Sequence, residues 1–123
     1  EMVPGNREIV CGLLRDAQFG PCVMFGLGGI FTELLQDVVF RVAPLTDFDA
    51  RQMMGDIRTA KVLDAFRGEA AADRGALAEI LVALGRIGLS RPEVEAIDVN
   101  PLKIRKNGSP VAVDALVKIK KAT

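Results

Sequence analysis

Near the end of the chain, three oxygen-bearing side chains have the types and spacing to do chemistry together. The stretch "AIDVNPLKI", residues 96–104, alternates apolar residues with Asp98 and Asn100, and Asp114 follows within "VAVDALVKI". In a strand, residues two apart share a face, so Asp98 and Asn100 belong together. Whether Asp114 joins them depends on the turn at "RKNGS". A two-residue loop at Asn107-Gly108 makes opposing residue numbers add to 215 and sets Asn100 against Ala115. A three-residue loop from Lys106 to Gly108, with the glycine in the left-handed region, makes them add to 214 and sets Asn100 against Asp114. The second register gathers a carboxamide and two carboxylates, an oxygen-only set suited to a hard cation such as Mg²⁺ that keeps water and phosphate in its other positions. Nitrogen and sulfur ligands are missing from it, which disfavours zinc. The same residues also read as the polar rim of a strand edge. Pro101 cannot donate to a neighbouring strand, so an edge, a bulge or the end of regular pairing is expected there.

The elements that must position these residues follow from pattern. Residues 7–15, "REIVCGLLR", and 22–26, "CVMFG", are strand-like, with "DAQFGP" as a turn between them. "IFTELL" and "VVFRV" follow, and Gln36 and Asp37 between them suggest a hairpin. The period then changes. "TDFDARQMMGDI" opens with Thr46 three residues before Asp49, a capping-box start to a helix, and "TAKVLDAF" is a short second helical candidate. From Asp73 to Gly88 the residues Leu77, Ile80, Leu81, Leu84 and Ile87 recur at helical spacing, with Asp73 as cap and Gly88 as terminator. Strands return with "VEAIDVN" and "VAVDALVKI". Strands, helices, then strands imply an α+β fold, a mostly antiparallel sheet packed against two or three helices.

Other features narrow the chemistry. The glycines of "FGLGGIF" do not make a dinucleotide fingerprint, because Phe31 stands where a third glycine is needed, and no Gly-Lys-Ser/Thr makes a phosphate loop. A tight turn remains, able to bring Gly28 and Gly29 amides to a phosphate or simply to reverse the chain. Arg41 alternates with Phe40 and Val42, as a solvated arginine does or one that neutralises phosphate. The chain has no histidine, hence no imidazole base and no phosphohistidine of its own. With 16 basic and 16 acidic residues the net charge is zero, which argues against nucleic acid and anionic membrane as partners. No apolar run approaches a membrane span of ~20 residues. Cys11 and Cys22 fit no metal spacing and read as small buried hydrophobes in a reducing cytoplasm. At 123 residues there is one domain at most, and the start "EMVPGNREIV", inside apparent structure, suggests a piece of a longer protein.

Two segments carry a resemblance. "GNREIVCGLLRDAQFGPCVMFGLGGIFTELLQDVVFRVAPL" resembles the ATP-grasp region of the ADP-forming acyl-CoA synthetases, and "IDVNPL" followed 14 residues on by "VDA" is similar to both that family and the succinyl-CoA synthetase β chain. The resemblance covers nearly the whole chain. It implies that residues 1–123 are the carboxy-terminal half of an ATP-grasp domain, with ATP or ADP held between two lobes. Asn100 and Asp114 would be Mg²⁺ ligands, with Asp98 beside them, on a face turned inward to the Mg-nucleotide. Glu1, Met2 and Val3 would lie near the base, Glu8 of the Gly-x-x-Glu-Ile-Val pattern at the nucleotide, and Gly28, Gly29 and Arg41 towards phosphates or a neighbouring domain. Family members couple acyl-CoA thioester chemistry to ATP and ADP through a phosphohistidine. The other lobe with its phosphate-binding lysine, the CoA-binding domains and the histidine would come from the same protein or a partner subunit, so the fragment alone should be inactive. Its small-molecule partners would be an acid and CoA. The alternative reading is a ligand-sensing module fused to a lysine acetyltransferase. A lobe that only makes an interface, or a homo-oligomer, would use its exposed apolar surface.

Overall fold

The computed structural model describes residues 7–28, 37–58, 60–65 and 68–121. The strand-rich opening forms β1 (Arg7–Asp16) and β2 (Gly20–Leu27), paired antiparallel from Ile9↔Leu27 to Asp16↔Gly20. The turn between them is held by the Asp16 carboxylate, which accepts from the amides of Gln18 and Phe19 at 2.8 and 2.9 Å. Strand β3 (Val38–Val42) pairs antiparallel with β2. The hairpin expected between "IFTELL" and "VVFRV" falls partly on residues 29–36, outside the described residues.

Helix α1 (Asp47–Gly55) starts where the capping box places it. The Asp49 amide donates to Thr46 Oγ1 at 3.1 Å, and the Thr46 amide donates back to Asp49 Oδ2 at 2.9 Å. The second helical candidate is a single 3₁₀ turn over Ala60–Leu63. Helix α2 (Arg74–Ser90) is capped by Asp73, whose carboxylate accepts from the Ala76 amide at 3.0 Å. It runs two residues past Gly88, which is no terminator. Gly88 is buried against β1 and the start of β2, where an added Cβ would lie 2.7 Å from Leu13 Cδ1 and 2.8 Å from Pro21 Cβ. Glycine is present so that helix and sheet can approach, a requirement set by residues distant in sequence.

The last three strands are β4 (Val94–Ile104), β5 (Pro110–Ala112) and β6 (Ala115–Ile119). All pairings are antiparallel. The order across the sheet is β3-β2-β1-β4-β5, with β6 also hydrogen-bonded to β4. Helices α1 and α2 cover one face. Beneath them Ile9, Cys11, Val23, Phe25, Leu102 and Ile104 of the sheet meet Met53, Met54, Leu77 and Leu81 of the helices. Each large side chain fully removed from water there contributes about 1.5–3 kcal/mol.

One buried charge closes this core from below. Arg7 donates from Nη2 to the carbonyls of Ala70 (2.7 Å) and Arg105 (3.3 Å), and from Nη1 to those of Asp64 (3.3 Å) and Val62 (3.4 Å). Its Nε lies 3.4 Å from Glu69 Oε1, an ion pair in which neither atom has a hydrogen bond. Arg7 thereby ties β1 to the 3₁₀ turn, to the segment before α2 and to the β4–β5 hairpin.

Candidate functional site

Strand β4 decides what the second face of the sheet carries. Against β1 it pairs Cys11↔Val99, Gly12↔Asp98 and Leu13↔Ile97, but then Ile9↔Leu102, so the register slips between Val99 and Leu102. Asn100 and Pro101 together oppose the single residue Val10, which is a β-bulge. A bulge is where a strand tolerates a residue without an N–H. It also reverses the alternation: Val99 is buried before it and Leu102 and Ile104 after it. Regular pairing therefore does not stop at Pro101. It is interrupted, and β4 continues to Ile104.

On the other side of β4 the hairpin settles the loop length. The pairs Leu102↔Ala112, Lys103↔Val111 and Ile104↔Pro110, and beyond them Asp98↔Leu116 and Val99↔Ala115, all add to 214. This is the three-residue register. Gly108 has φ +92°, and an added Cβ would lie 2.1 Å from the Ala71 carbonyl oxygen, so conformation and contact both demand glycine. At Val113 and Asp114 the partner line breaks between β5 and β6, and the Asn100 amide donates to the Asp114 carbonyl at 3.1 Å. Asn100 and Asp114 thus stand opposite each other beside the bulge, with Asp98 two residues along β4.

All three side chains are exposed, on the face away from the helices. That corrects the inward orientation expected from sequence: the interior of this chain lies on the other side of the sheet. Among the described residues, the carboxylates of Asp98 and Asp114 and the carboxamide of Asn100 have no hydrogen-bond or ion-pair partner. Asp98 is felt nearby. Burial, and after it the Asp98 charge, push the Cys11 thiol up to about 12. No group of three or more His, Cys, Asp and Glu among the described residues could hold a metal. The set here is two carboxylates and a carboxamide, which suits a hard cation that keeps other oxygens from water or phosphate.

The remaining sequence candidates divide. Glu8, half-buried on β1, pairs with Lys103 across β4 on the same open face. Gly28 is beside it, its amide donating to the Glu8 carbonyl at 2.8 Å. Arg41 stands apart: it pairs with core residue Val23 and therefore faces the helix side, where its guanidinium meets Asp56. Glu1, Met2, Val3 and Gly29 lie outside the described residues. Sequence reasoning passed over Lys103 and Arg7. Lys103 becomes visible only once the bulge has reset the alternation, whereas the partners of Arg7 are carbonyls that no local pattern announces.

A six-stranded antiparallel sheet, helices on one face and an uncompensated oxygen cluster on the other define a lobe that is open on its polar side. Over residues 1–119 the chain matches the family model of the ATP-grasp domain, and it belongs to that family. It is 49% identical over 114 residues to the beta subunit of acetate–CoA ligase (ADP-forming) I of Pyrococcus furiosus, covering 93% of this chain and 49% of that protein. To acetate–CoA ligase (ADP-forming) I of Archaeoglobus fulgidus it is 41% identical, covering 90% of this chain and 16% of that one. A solved structure of the dinucleotide-forming acetyl-coenzyme A synthetase 1 of Candidatus Korarchaeum cryptofilum, in complex with coenzyme A and Mg-AMPPCP, superposes with a TM-score of 0.89 at 44% identity. That match covers 98% of this chain and 56% of the other. The chain therefore spans about half, or less, of these relatives. None of the three supports the alternative of a sensing module on an acetyltransferase.

Proposed function

We propose that residues 1–123 are the carboxy-terminal ATP-grasp lobe of an ADP-forming acyl-CoA synthetase, part of a longer protein, and that the lobe binds a Mg-nucleotide on its open face. One observation carries the reading: the 214 register sets Asn100 opposite Asp114, with Asp98 beside them and no partner for any of the three side chains. The relatives support it, being ADP-forming acid–CoA ligases, one of them solved with a Mg-nucleotide analogue.

In this reading Asn100 and Asp114 hold Mg²⁺ through oxygen, and Asp98 adds negative charge beside them. When bound, Mg²⁺ would supply positive charge that offsets the phosphates. The residues of this chain position and neutralise; the bulge fixes Asn100 at the point where the partner strand is interrupted. Glu8 and Gly28 lie at the near end of the same face, and Glu1, Met2, Val3 and Gly29 are assigned to the nucleotide by the family resemblance alone. Arg41, on the helix side with Asp56, is not part of that face. With no histidine in the chain, a phosphoryl-carrying histidine and the acid and CoA sites belong to other domains or a partner subunit, so the lobe alone does not turn over. The buried thiols Cys11 and Cys22 suit a cytoplasmic setting. Among the described residues, no helix is long and apolar enough to cross a membrane.

Calorimetric titration of ADP with and without Mg²⁺ tests this, comparing the intact protein with Asp114→Ala. Saturable binding that needs Mg²⁺ and weakens about 100-fold in the variant is expected, since a metal ligand is removed. Equal binding by the two proteins would remove the metal site from this face.

A further inference from the structure

We infer that Arg7 is a positioning residue of this site: by holding the β4–β5 hairpin it fixes the register that sets Asp114 opposite Asn100. The inference rests on the metal reading above. It starts from a weakness in the last two strands. Burial selects a strand's register only where one face is covered. Every residue of β6 is exposed, as are Ala112, Val113 and Asp114 before it. Nor does the turn sequence decide. Asn-Gly is a favoured pair for a two-residue loop, in which Asn100 would face Ala115. The choice of the three-residue loop must come from outside the hairpin.

The hairpin tip is docked on the segment before α2. The Ala70 amide donates to the Lys106 carbonyl and the Asp73 amide to the Gly108 carbonyl, each at 2.8 Å. Gly108 is buried in that contact, against the Ala71 carbonyl. Arg7 grips both sides of it. Its Nη2 donates to the Ala70 carbonyl on the docking segment and to the Arg105 carbonyl where β4 enters the loop, at 2.7 and 3.3 Å. Its Nη1 reaches the carbonyls of Val62 and Asp64, so the 3₁₀ turn is held in the same grip. A planar fork of five donors can meet carbonyls of three segments at once. A lysine ammonium could keep the charge beside Glu69 but not that span. Two backbone bonds mark the register so fixed: the Asn100 amide donates to the Asp114 carbonyl at 3.1 Å, and the Val113 amide to the Pro101 carbonyl at 3.0 Å.

The test uses the intact protein and two readouts: amide exchange of Asn100 and Val113, which follows the register without metal, and the Mg²⁺ concentration that half-saturates ADP binding. Arg7→Met combined with Glu69→Leu removes the fork without stranding a charge, and Phe25→Ala is a control that weakens the core away from the hairpin. The double variant is expected to speed exchange of both amides about tenfold more than Phe25→Ala does. It should also raise the half-saturating Mg²⁺ about tenfold, the lower end of what losing a support behind metal ligands costs. Phe25→Ala should leave the Mg²⁺ requirement of the folded protein unchanged. Arg7→Lys should fall between wild type and the double variant, and it carries the test should the double variant not fold. If Arg7→Lys matches wild type in both readouts, charge alone suffices and the positioning role is overturned. If the double variant behaves as Phe25→Ala does while Asp114→Ala weakens Mg²⁺-dependent binding, the role of Arg7 is overturned and the metal reading stands. If exchange quickens but neither the double variant nor Asp114→Ala alters the Mg²⁺ requirement, the metal reading falls and this inference with it.

Discussion

The two faces of one sheet are built from alternate residues of the same strands, yet only one of them is finished. On the helix-covered face, Ile9, Cys11, Val23, Phe25, Leu102 and Ile104 meet the apolar stripes of α1 and α2, and little is left wanting. On the open face, Glu8, Asn100 and Asp98 share space with half-exposed apolar residues such as Phe40 and Val42, and Leu116 on β6 is 69% exposed. Folding energy is concentrated on the first face, while the chemistry lies on the second. A single bulge in β4 allots residues to each, because moving one position along a strand exchanges its faces.

That division can be broken most forcefully from the covered side. Phe25 is fully buried at the centre of the core, and Phe25→Ala should cost about 3–5 kcal/mol through lost transfer and a cavity. Asp114→Asn, on the exposed face, should change stability by no more than about 0.5 kcal/mol in the absence of metal. Urea unfolding of the two variants measures both. Similar midpoints would mean that the faces do not differ in the way described.

Arg7, like Asp37, is a buried charge on the covered side, and it sharpens the comparison. Arg7→Met should cost about 3 kcal/mol, because it leaves Glu69 with a buried, uncompensated charge and four carbonyls without their donor. Adding Glu69→Leu should recover part of that loss. A double-mutant cycle checks it: additive costs would show that the pair contributes nothing as a pair.

The two cysteines give a gentler test, because one lies on each face. Cys11 is in the core, its thiol pushed up to about 12 by burial and by Asp98. Cys22 faces a cavity of about 350 Å³ that is also lined by Leu14, Phe19, Phe40 and Val42, and its thiol is raised, by burial first and then by Asp16. Reaction requires thiolate and access. At pH 8 iodoacetamide should therefore modify Cys22 slowly and Cys11 only through unfolding, a sequence of events that peptide mass mapping resolves. Labelling of Cys11 first would contradict the assignment of faces.

What the sequence made legible follows the reach of each interaction. The Thr46–Asp49 capping box and the Asp73 cap are complete within a few residues, and each forms as its pattern predicts. The pairing of Asn100 with Asp114 was open on paper between two loop lengths, and the 214 register resolves it. Hidden from sequence were the features set by distant partners: Gly88 as a contact with Leu13 and Pro21, Arg7 as a clamp on carbonyls of three segments, and the slip against Val10 that turns Lys103 to the open face. Periodicity carries a strand's alternation forward, but a bulge resets it without any mark except a proline.

The smallest effect expected concerns the start of α1, at the edge of the covered face. Asp49 is held below the usual carboxylate range, first by the hydrogen bond from the Thr46 amide, then by the Thr46 hydroxyl and the Arg41 charge, against a small opposing effect of burial. A carboxylate whose folded pKa is depressed binds protons more readily in the unfolded chain. Its contribution is therefore fully present above the unfolded value near ~4 and is lost as pH falls through the lower folded one. The difference in urea midpoint between wild type and Asp49→Ala should stay constant from pH 7 to about 5 and shrink below about pH 4. A difference that grew on acidification would mean that the cap works better protonated, and the reciprocal hydrogen bonds at Thr46 could not then be what starts the helix.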